Sequence, residues 1–325
     1  MRGIVIHVWD QTTPNFNVTT YCDLIKNAGV QWVAIDATSP YSDWEIGRFN
    51  LLVTELRTRG IKVIGILDAV TFAGVTGANL TLDLWTETVR GVLSIFGGMV
   101  DAWQIWNEPN YLPYQLGYCD GTPEHYVEML KAVYPIIKAT RAIPPPVLAG
   151  SLAPIAGIGT FTRRCWELGV ANYCDIWGVH IYSPTQDWIL NETASIITPK
   201  PIWVTESGAS SWDYELEGQA QQLAANDAYF KANEAKYRIE MVSWYCWLDY
   251  AKPGDVTNAY GNPTSLEDFF GLVTVDLNQK PSYDMYKSLA SPPTPPPAQV
   301  EFPIWIIPIT LLGAGGIVMY LSSKS

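Results

Sequence analysis

Two glutamates sit where a carboxyl group is costly. Asp101-Ala-Trp-Gln-Ile-Trp-Asn-Glu-Pro-Asn110 opens with a short apolar, aromatic run, Ala102 to Trp106, of the kind that forms a buried strand. It stops at Asn107-Glu108-Pro109-Asn110, because proline cannot continue a ladder and asparagine is at home in turns. Glu108 therefore falls where a buried strand meets a loop, beside an amide and walled by Trp103 and Trp106. A carboxyl in such a place must find partners or keep its proton, and both conditions suit a catalytic acid. Pro201-Ile-Trp-Val-Thr-Glu-Ser-Gly208 repeats the design, with Glu206 at the end of an apolar strand and a turn behind it.

The elements that must position these groups follow a regular rhythm. Ile4 to Trp9 reads as a first strand and Val18 to Ala28 as a helix, with Asn17 a cap and Gly29 a stop. Strand Gln31 to Ala37 is followed by helix Glu45 to Arg59, and strand Ile61 to Leu67 by helix Leu80 to Phe96. The Glu108 stretch is the fourth strand. Thr122-Pro123 then launches a helix over Glu124 to Arg141, a cap with proline at the first helical position. Strand Pro146 to Gly150 and a helix near Phe161 to Leu168 come next, then strand Asp175 to Tyr182 and a helical piece between Trp188 and Ile197. The Glu206 strand precedes helix Leu216 to Lys236. Strand Glu240 to Trp247 and helix Ser282 to Leu289 close the series. The strands are continuous apolar runs, as in a parallel sheet covered on both faces. Eight strand-then-helix units predict an α/β fold, a (β/α)8 TIM barrel over residues 1–290. An open doubly wound sheet is the alternative, but no glycine-rich phosphate loop follows the first strand.

Composition narrows the partners. Of 325 residues 48% are hydrophobic and 16% charged, ample for a large core. A net charge of -12 excludes nucleic acid as the expected partner, since phosphate binding wants a basic face. The 14 Trp and 18 Tyr serve mostly as packing, and some can offer flat platforms to an uncharged, hydroxyl-rich ligand such as a sugar. Cys22, Cys119, Cys165, Cys174 and Cys246 lack metal-ligand spacing and read as buried thiols, one disulfide remaining open; no metal and no cofactor are expected.

At Ser291-Pro-Pro-Thr-Pro-Pro-Pro-Ala298 the composition breaks into a stiff linker, assigned to residues 291–301. Phe302 to Leu321 then carries no charge, and about twenty mainly apolar residues span a bilayer. Trp305 and Tyr320 lie near its ends, where aromatic belts occur. The reading is a C-terminal transmembrane helix over 302–321, making the membrane a partner. The start, Met1-Arg-Gly before Ile4 to Trp9, is too short for a secretory leader, so the side of the membrane that the barrel faces stays open.

In a barrel of this kind the active site lies at the carboxyl ends of the strands. That puts Glu108, His180 and Tyr182, Glu206 and Trp247 around one mouth, with His7 and Asp36 at the ends of strands one and two also able to face a substrate. Two carboxyls among aromatic rings are what glycosidic bond cleavage requires. Trp106-Asn-Glu-Pro-Asn110 and Thr205-Glu-Ser-Gly208, on strands four and seven, resemble the retaining glycoside hydrolases of clan A, families 5 and 39 above all. Phe270-Gly-Leu-Val-Thr-Val and Lys280-Pro-Ser-Tyr283 are similar to the closing segment of the same families. The resemblance covers nearly all of residues 1–290 and implies a carbohydrate substrate, an oligo- or polysaccharide whose O-glycosidic bonds are cleaved with retention by double displacement. It implies that Glu108 is the acid/base, Asn107 the partner of the sugar 2-hydroxyl, and Glu206 the nucleophile. It also implies that the Tyr182 hydroxyl, from the His180-x-Tyr182 pair, orients that nucleophile and that Trp247 floors the sugar subsite. Two departures stand out. Ala34 lies near the point where many clan members carry a bracing arginine, and Leu67-Asp68 stands where many family 5 members have a histidine.

Three other readings compete. A sugar-binding barrel without catalysis predicts a replaced carboxylate, and both are present. A cell-wall muramidase-like hydrolase is suggested by Met1 to Asp10 and Ala28 to Val33, although barrel lysozymes lack Asn-Glu-Pro on strand four. A membrane scaffold is the remaining one.

Overall fold

The computed structural model describes residues 1–13, 16–72, 80–112 and 117–290. Eight parallel strands close into a barrel in chain order: β1 (Arg2–Ile6), β2 (Trp32–Asp36), β3 (Lys62–Leu67), β4 (Ala102–Ile105), β5 (Val147–Leu152), β6 (Ile176–His180), β7 (Ile202–Ser207) and β8 (Ile239–Trp244). β1 pairs with β2 on one side and with β8 on the other, so no strand of the barrel is left as an edge. Each strand is followed by a helix: α1 (Val18–Asn27), α2 (Asp43–Thr58), α3 (Leu82–Phe96), α4 (Pro123–Lys138), α5 (Ile158–Glu167), α6 (Asp187–Thr193), α7 (Ser211–Tyr237) and α8 (Pro281–Ala290). The (β/α)8 architecture expected from the eightfold rhythm is the one observed.

Local chemistry starts the helices where the sequence says it should. The Asn17 side chain accepts from the Thr20 N–H at 2.9 Å, and Thr122, ahead of Pro123, accepts from His125. Each such cap satisfies one of the orphan N–H groups of the first turn, about 1 kcal/mol apiece.

Two apolar layers result from the period of two along each strand. Val5, Trp32, Ala34, Ile64, Ile66, Leu148, Trp203 and Met241 point inward and fill the barrel, with Trp32 and Trp203 edge to face at 5.3 Å. The other row packs outward against the helices, where Trp85, Trp103, Trp106 and Trp177 are wholly buried. The inward rows end at the mouth in polar groups: Trp32-Ala34 leads to Asp36, and Ile64-Ile66 to Asp68.

The proline-rich stretch 291–301 and the apolar run 302–321 lie outside the described residues. Among the described residues no helix is long and apolar enough to cross a membrane. All five cysteines are free and buried, so none is paired in a disulfide.

Candidate active site

The Glu108 loop leaves β4 through unusual backbone. Trp106 and Glu108 have φ of 64° and 50°, left-handed values that cost a side chain on the order of 1–3 kcal/mol. Surrounding bonds hold them there. Trp106 N–H donates to the Leu67 carbonyl at 2.7 Å, Glu108 N–H to the Ser151 carbonyl at 3.0 Å, and the Gln104 amide to the Trp106 carbonyl at 3.1 Å. Asn110, last residue of the motif, exchanges two bonds with the Ala153 backbone at 2.9 and 3.1 Å. The motif thus ties the ends of β3, β4 and β5 together and leaves the Glu108 carboxyl in the barrel mouth.

Glu206 comes from the end of β7, in register with His180 on β6. Two residues on, Gly208 lets the chain pass the end of β8, since a Cβ there would lie 2.3 Å from the Tyr245 carbonyl oxygen. Ser207 accepts from the Asn226 amide of α7 at 3.0 Å, which fixes the strand end from outside.

The two glutamates meet over His180. His180 Nδ1 lies 2.8 Å from Glu108 Oε1 and 3.5 Å from Glu206 Oε2, and the Tyr182 hydroxyl donates to Glu206 Oε2 at 2.5 Å. Oxygen atoms of the two carboxyls and the imidazole nitrogen all fall within 4.8 Å of one another. Glu108 and Glu206 are 8% and 9% exposed, enough for one face of each to reach the cavity. Among the described residues this trio is also the set closely enough gathered to hold a metal ion. His180 Nδ1, Glu108 Oε1 and Glu206 Oε2 are engaged with one another and with Tyr182, while His180 Nε2 is buried with no hydrogen-bond partner among the described residues.

Electrostatics follow from that burial. Desolvation raises Glu206 from its ordinary value; His180 opposes the rise, the Glu108 charge adds to it, and the Tyr182 hydroxyl and His7 oppose it. His180 is raised despite burial, which alone would lower it, because Glu206 and Glu108 both favour the imidazolium. Burial and the Glu206 charge push the Tyr182 hydroxyl far up, so it stays a donor.

A second polar group lines the other side of the mouth. His7 Nδ1 and Asp36 Oδ2 are 2.5 Å apart, and Trp9 stacks on the imidazole at 4.3 Å between centroids. Buried Asp10 takes the His7 backbone N–H at 3.2 Å and the hydroxyls of Tyr21 and Tyr250 at 2.5 and 3.1 Å. Burial would lower His7, but Asp36 first, then Asp10 and Glu206, raise it to about 9. This pair stands one step above Ala34 on β2 and supplies a cation at the same end of the barrel.

The two carboxyls, Tyr182, His7 and Asp36 open into one cavity of about 760 Å³. That volume is in the range that holds a small-molecule ligand. His7, Asp36, Asn107, Glu108, Tyr182 and Glu206 line it as their positions in the sequence imply, and Trp9, Asp68, Tyr111, Tyr245, Glu267 and Phe270 complete the wall. His180 is fully buried beneath the two carboxyls.

Trp247 needs a correction. It is fully buried, packs edge-on against Tyr21 and Tyr283 at 6.3 and 5.8 Å, and does not line the cavity. β8 ends at Trp244, three residues earlier than its apolar run suggests, and the chain turns into the core after a cis peptide between Tyr245 and Cys246. The aromatic side chain at the mouth is Tyr245. Both lie on the inward parity of Met241 and Ser243, so only the point where the strand stops separates them. Asp68 was legible by the same count from Ile64 and Ile66. Glu267, from the long segment after β8, carries no such signal.

No family model matches the chain, and no curated protein does. Solved structures do. A family 39 glycoside hydrolase from the gut symbiont Bacteroides cellulosilyticus WH2 superposes with a TM-score of 0.66 at 20% identity, over 89% of this chain and 63% of that one. A GH5_18 structure from Streptomyces cattleya in complex with GlcNAc gives 0.67 at 16% identity, covering 89% and 79%. The β-glycosidase BGL167 gives 0.64 at 13% identity, covering 91% and 98%. The chain spans a little under two thirds of the first of these. At such identities the shared property is the barrel, and the resemblance to clan A glycoside hydrolases holds at that level.

Proposed function

We propose that this chain is a retaining β-glycoside hydrolase. The observation that carries the reading is the facing pair: Glu108 and Glu206, from β4 and β7, with oxygen atoms within 4.8 Å in one cavity. Retaining enzymes hold their carboxyls about 5–5.5 Å apart, and inverting ones about 6.5–9.5 Å to admit a water. The short gap suits a direct attack on the sugar.

Glu206 attacks the anomeric carbon as the bond to the leaving oxygen breaks, and Glu108 gives that oxygen its proton. Water, deprotonated by Glu108, then displaces Glu206 from the glycosyl ester, restoring both groups. Once Glu108 holds the proton, its repulsion of Glu206 is gone, while Tyr182, His180 and His7 still favour the ionised nucleophile. Asn107, at the cavity wall beside Glu108, is assigned the sugar 2-hydroxyl in this reading. Solved neighbours that are glycoside hydrolases of families 39 and 5 support the class, and the sugar is not fixed by them.

The test separates the two glutamates. Glu206→Ala should abolish turnover of every glycoside. Glu108→Ala should fail on poor leaving groups but still be glycosylated by a dinitrophenyl glycoside, and added azide should release a β-glycosyl azide. An α-glycosyl azide would mean the roles are exchanged. First-formed product of inverted configuration by NMR would overturn the mechanism. Chelation by EDTA should leave turnover unchanged, since every step is assigned to side chains. For residues 302–321 we keep the reading of a membrane anchor, checked by detergent phase partition of the whole chain against one ending at Ala290.

A further inference from the structure

The first turn after the Glu206 strand carries an exposed aromatic side chain that the catalytic scheme does not use. Trp212 stands in the first turn of α7, directly after the Glu206 strand, and is 56% exposed. Its ring packs on Phe269 at 5.1 Å, and the neighbours of Phe269 in this segment, Glu267 and Phe270, line the cavity. Buried Phe269 thus links the exposed indole, through the chain, to two residues of the cavity wall.

This turn is held far more firmly than an ordinary surface loop. Ser210 Oγ donates to the Leu266 carbonyl at 2.7 Å and accepts from the Trp212 N–H at 3.2 Å. Ser211 Oγ donates to the Phe269 carbonyl at 3.2 Å and accepts from Lys280 Nζ at 3.1 Å. Lys280 is itself buried on Asp249, 3.0 Å from each carboxyl oxygen. From below, fully buried Gln219 donates to the carbonyls of Ala209 and Phe269 at 2.9 and 3.2 Å. The backbone that carries the indole is thus held before any ligand arrives, and order established in advance lowers the cost of binding. Beside it Glu267 faces the cavity with a carboxylate that can accept hydrogen bonds from hydroxyl groups.

We propose that Trp212, with Glu267 of the cavity wall, forms a further sugar-binding subsite on which a glycan extending from the cavity rests. A flat ring takes the C–H face of a pyranose and the carboxylate takes its hydroxyls. The inference rests on the carbohydrate reading above and adds where the part of a glycan that is longer than the cavity is held.

The experiment compares wild-type enzyme and Trp212→Ala on cello-, manno- and chito-oligosaccharides from dimer to hexamer and on p-nitrophenyl β-monoglycosides. Wild-type kcat/KM should rise with chain length. Trp212→Ala should lose about tenfold on the longer chains, keep its rate on the monoglycosides, and be partly rescued in Trp212→Phe. Equal loss on short and long substrates, or none on either, overturns the subsite. So does a change confined to dimerisation or to sedimentation with phosphatidylglycerol vesicles, which would give this face to a second copy or a lipid surface. Affinity electrophoresis in polysaccharide gels reads binding without turnover. Retardation lost in Trp212→Ala from a protein that cleaves nothing would uphold the subsite and sink the hydrolase reading alone.

Discussion

Glu206 receives its hydrogen bond from Tyr182 at 2.5 Å, and in the proposed mechanism the strength of that bond should grow as the carboxylate is regenerated in each cycle. Tyr182→Phe removes it without opening a cavity. We expect kcat to fall by about ten- to a hundredfold with little change in KM, measured on an aryl glycoside at saturation. His7 gives a prediction with a sign. Its value is about 9 in the fold, above the ordinary 6.5, because Asp36 stabilises the imidazolium. The stability from this pair is fully present below pH 6.5 and is lost as pH rises through about 9. At most it amounts to roughly 3 kcal/mol. Urea unfolding across that window should show the decline in wild type, and Asp36→Asn should flatten it. Residue by residue, the glutamates, Asn107 and Tyr182 were legible because each ends or follows a strand beside a proline, a glycine or a histidine. Trp247 was misread because a run of aromatics gives no sign of where its strand stops.

Between residue and molecule, the ends of elements mattered more than their middles. The apolar runs located all eight strands, since burial on both faces leaves a continuous signal. They overran at β1 and β8, where Val8 to Thr12 forms a short 3-10 turn and Trp247 enters the core, because a buried loop is as apolar as a buried strand. The start of α7 was missed for a different reason: Trp212 and Tyr214 are exposed, and Glu215 has φ of 56°, so no amphipathic pattern crosses that kink. What anchors the missed turn is the Lys280 and Asp249 pair, 1% and 6% exposed at their side chains. Burial raises Asp249 to about 6 and lowers Lys280, while their contact opposes both changes. Lys280→Met leaves the carboxylate buried alone and should cost about 3–5 kcal/mol by urea denaturation. Exchanging both for apolar residues should cost less.

At the scale of the whole molecule, the repeat of strand and helix made the barrel legible, while the long segment after β8 that brings Glu267 and Phe270 to the site follows no period. Residues 1–291 form one compact unit. A chain ending at Ala290 is therefore expected to fold and to match the full chain in kcat/KM, and a folded but inactive truncation would refute this. Closure joins the two ends of that unit: β1 lies against β8, the Met1 amine donates to the Glu240 carbonyl at 2.6 Å, and the Tyr286 hydroxyl donates to Gly3 at 3.0 Å. During synthesis β1 must wait for more than two hundred residues before its second neighbour exists. A nascent chain released after β6 already holds Glu108 and His180, yet it has two bare sheet edges and lacks Glu206. Such an intermediate invites pairing with other chains, and a ribosome-stalled fragment of that length should bind a holdase chaperone until the last strand emerges.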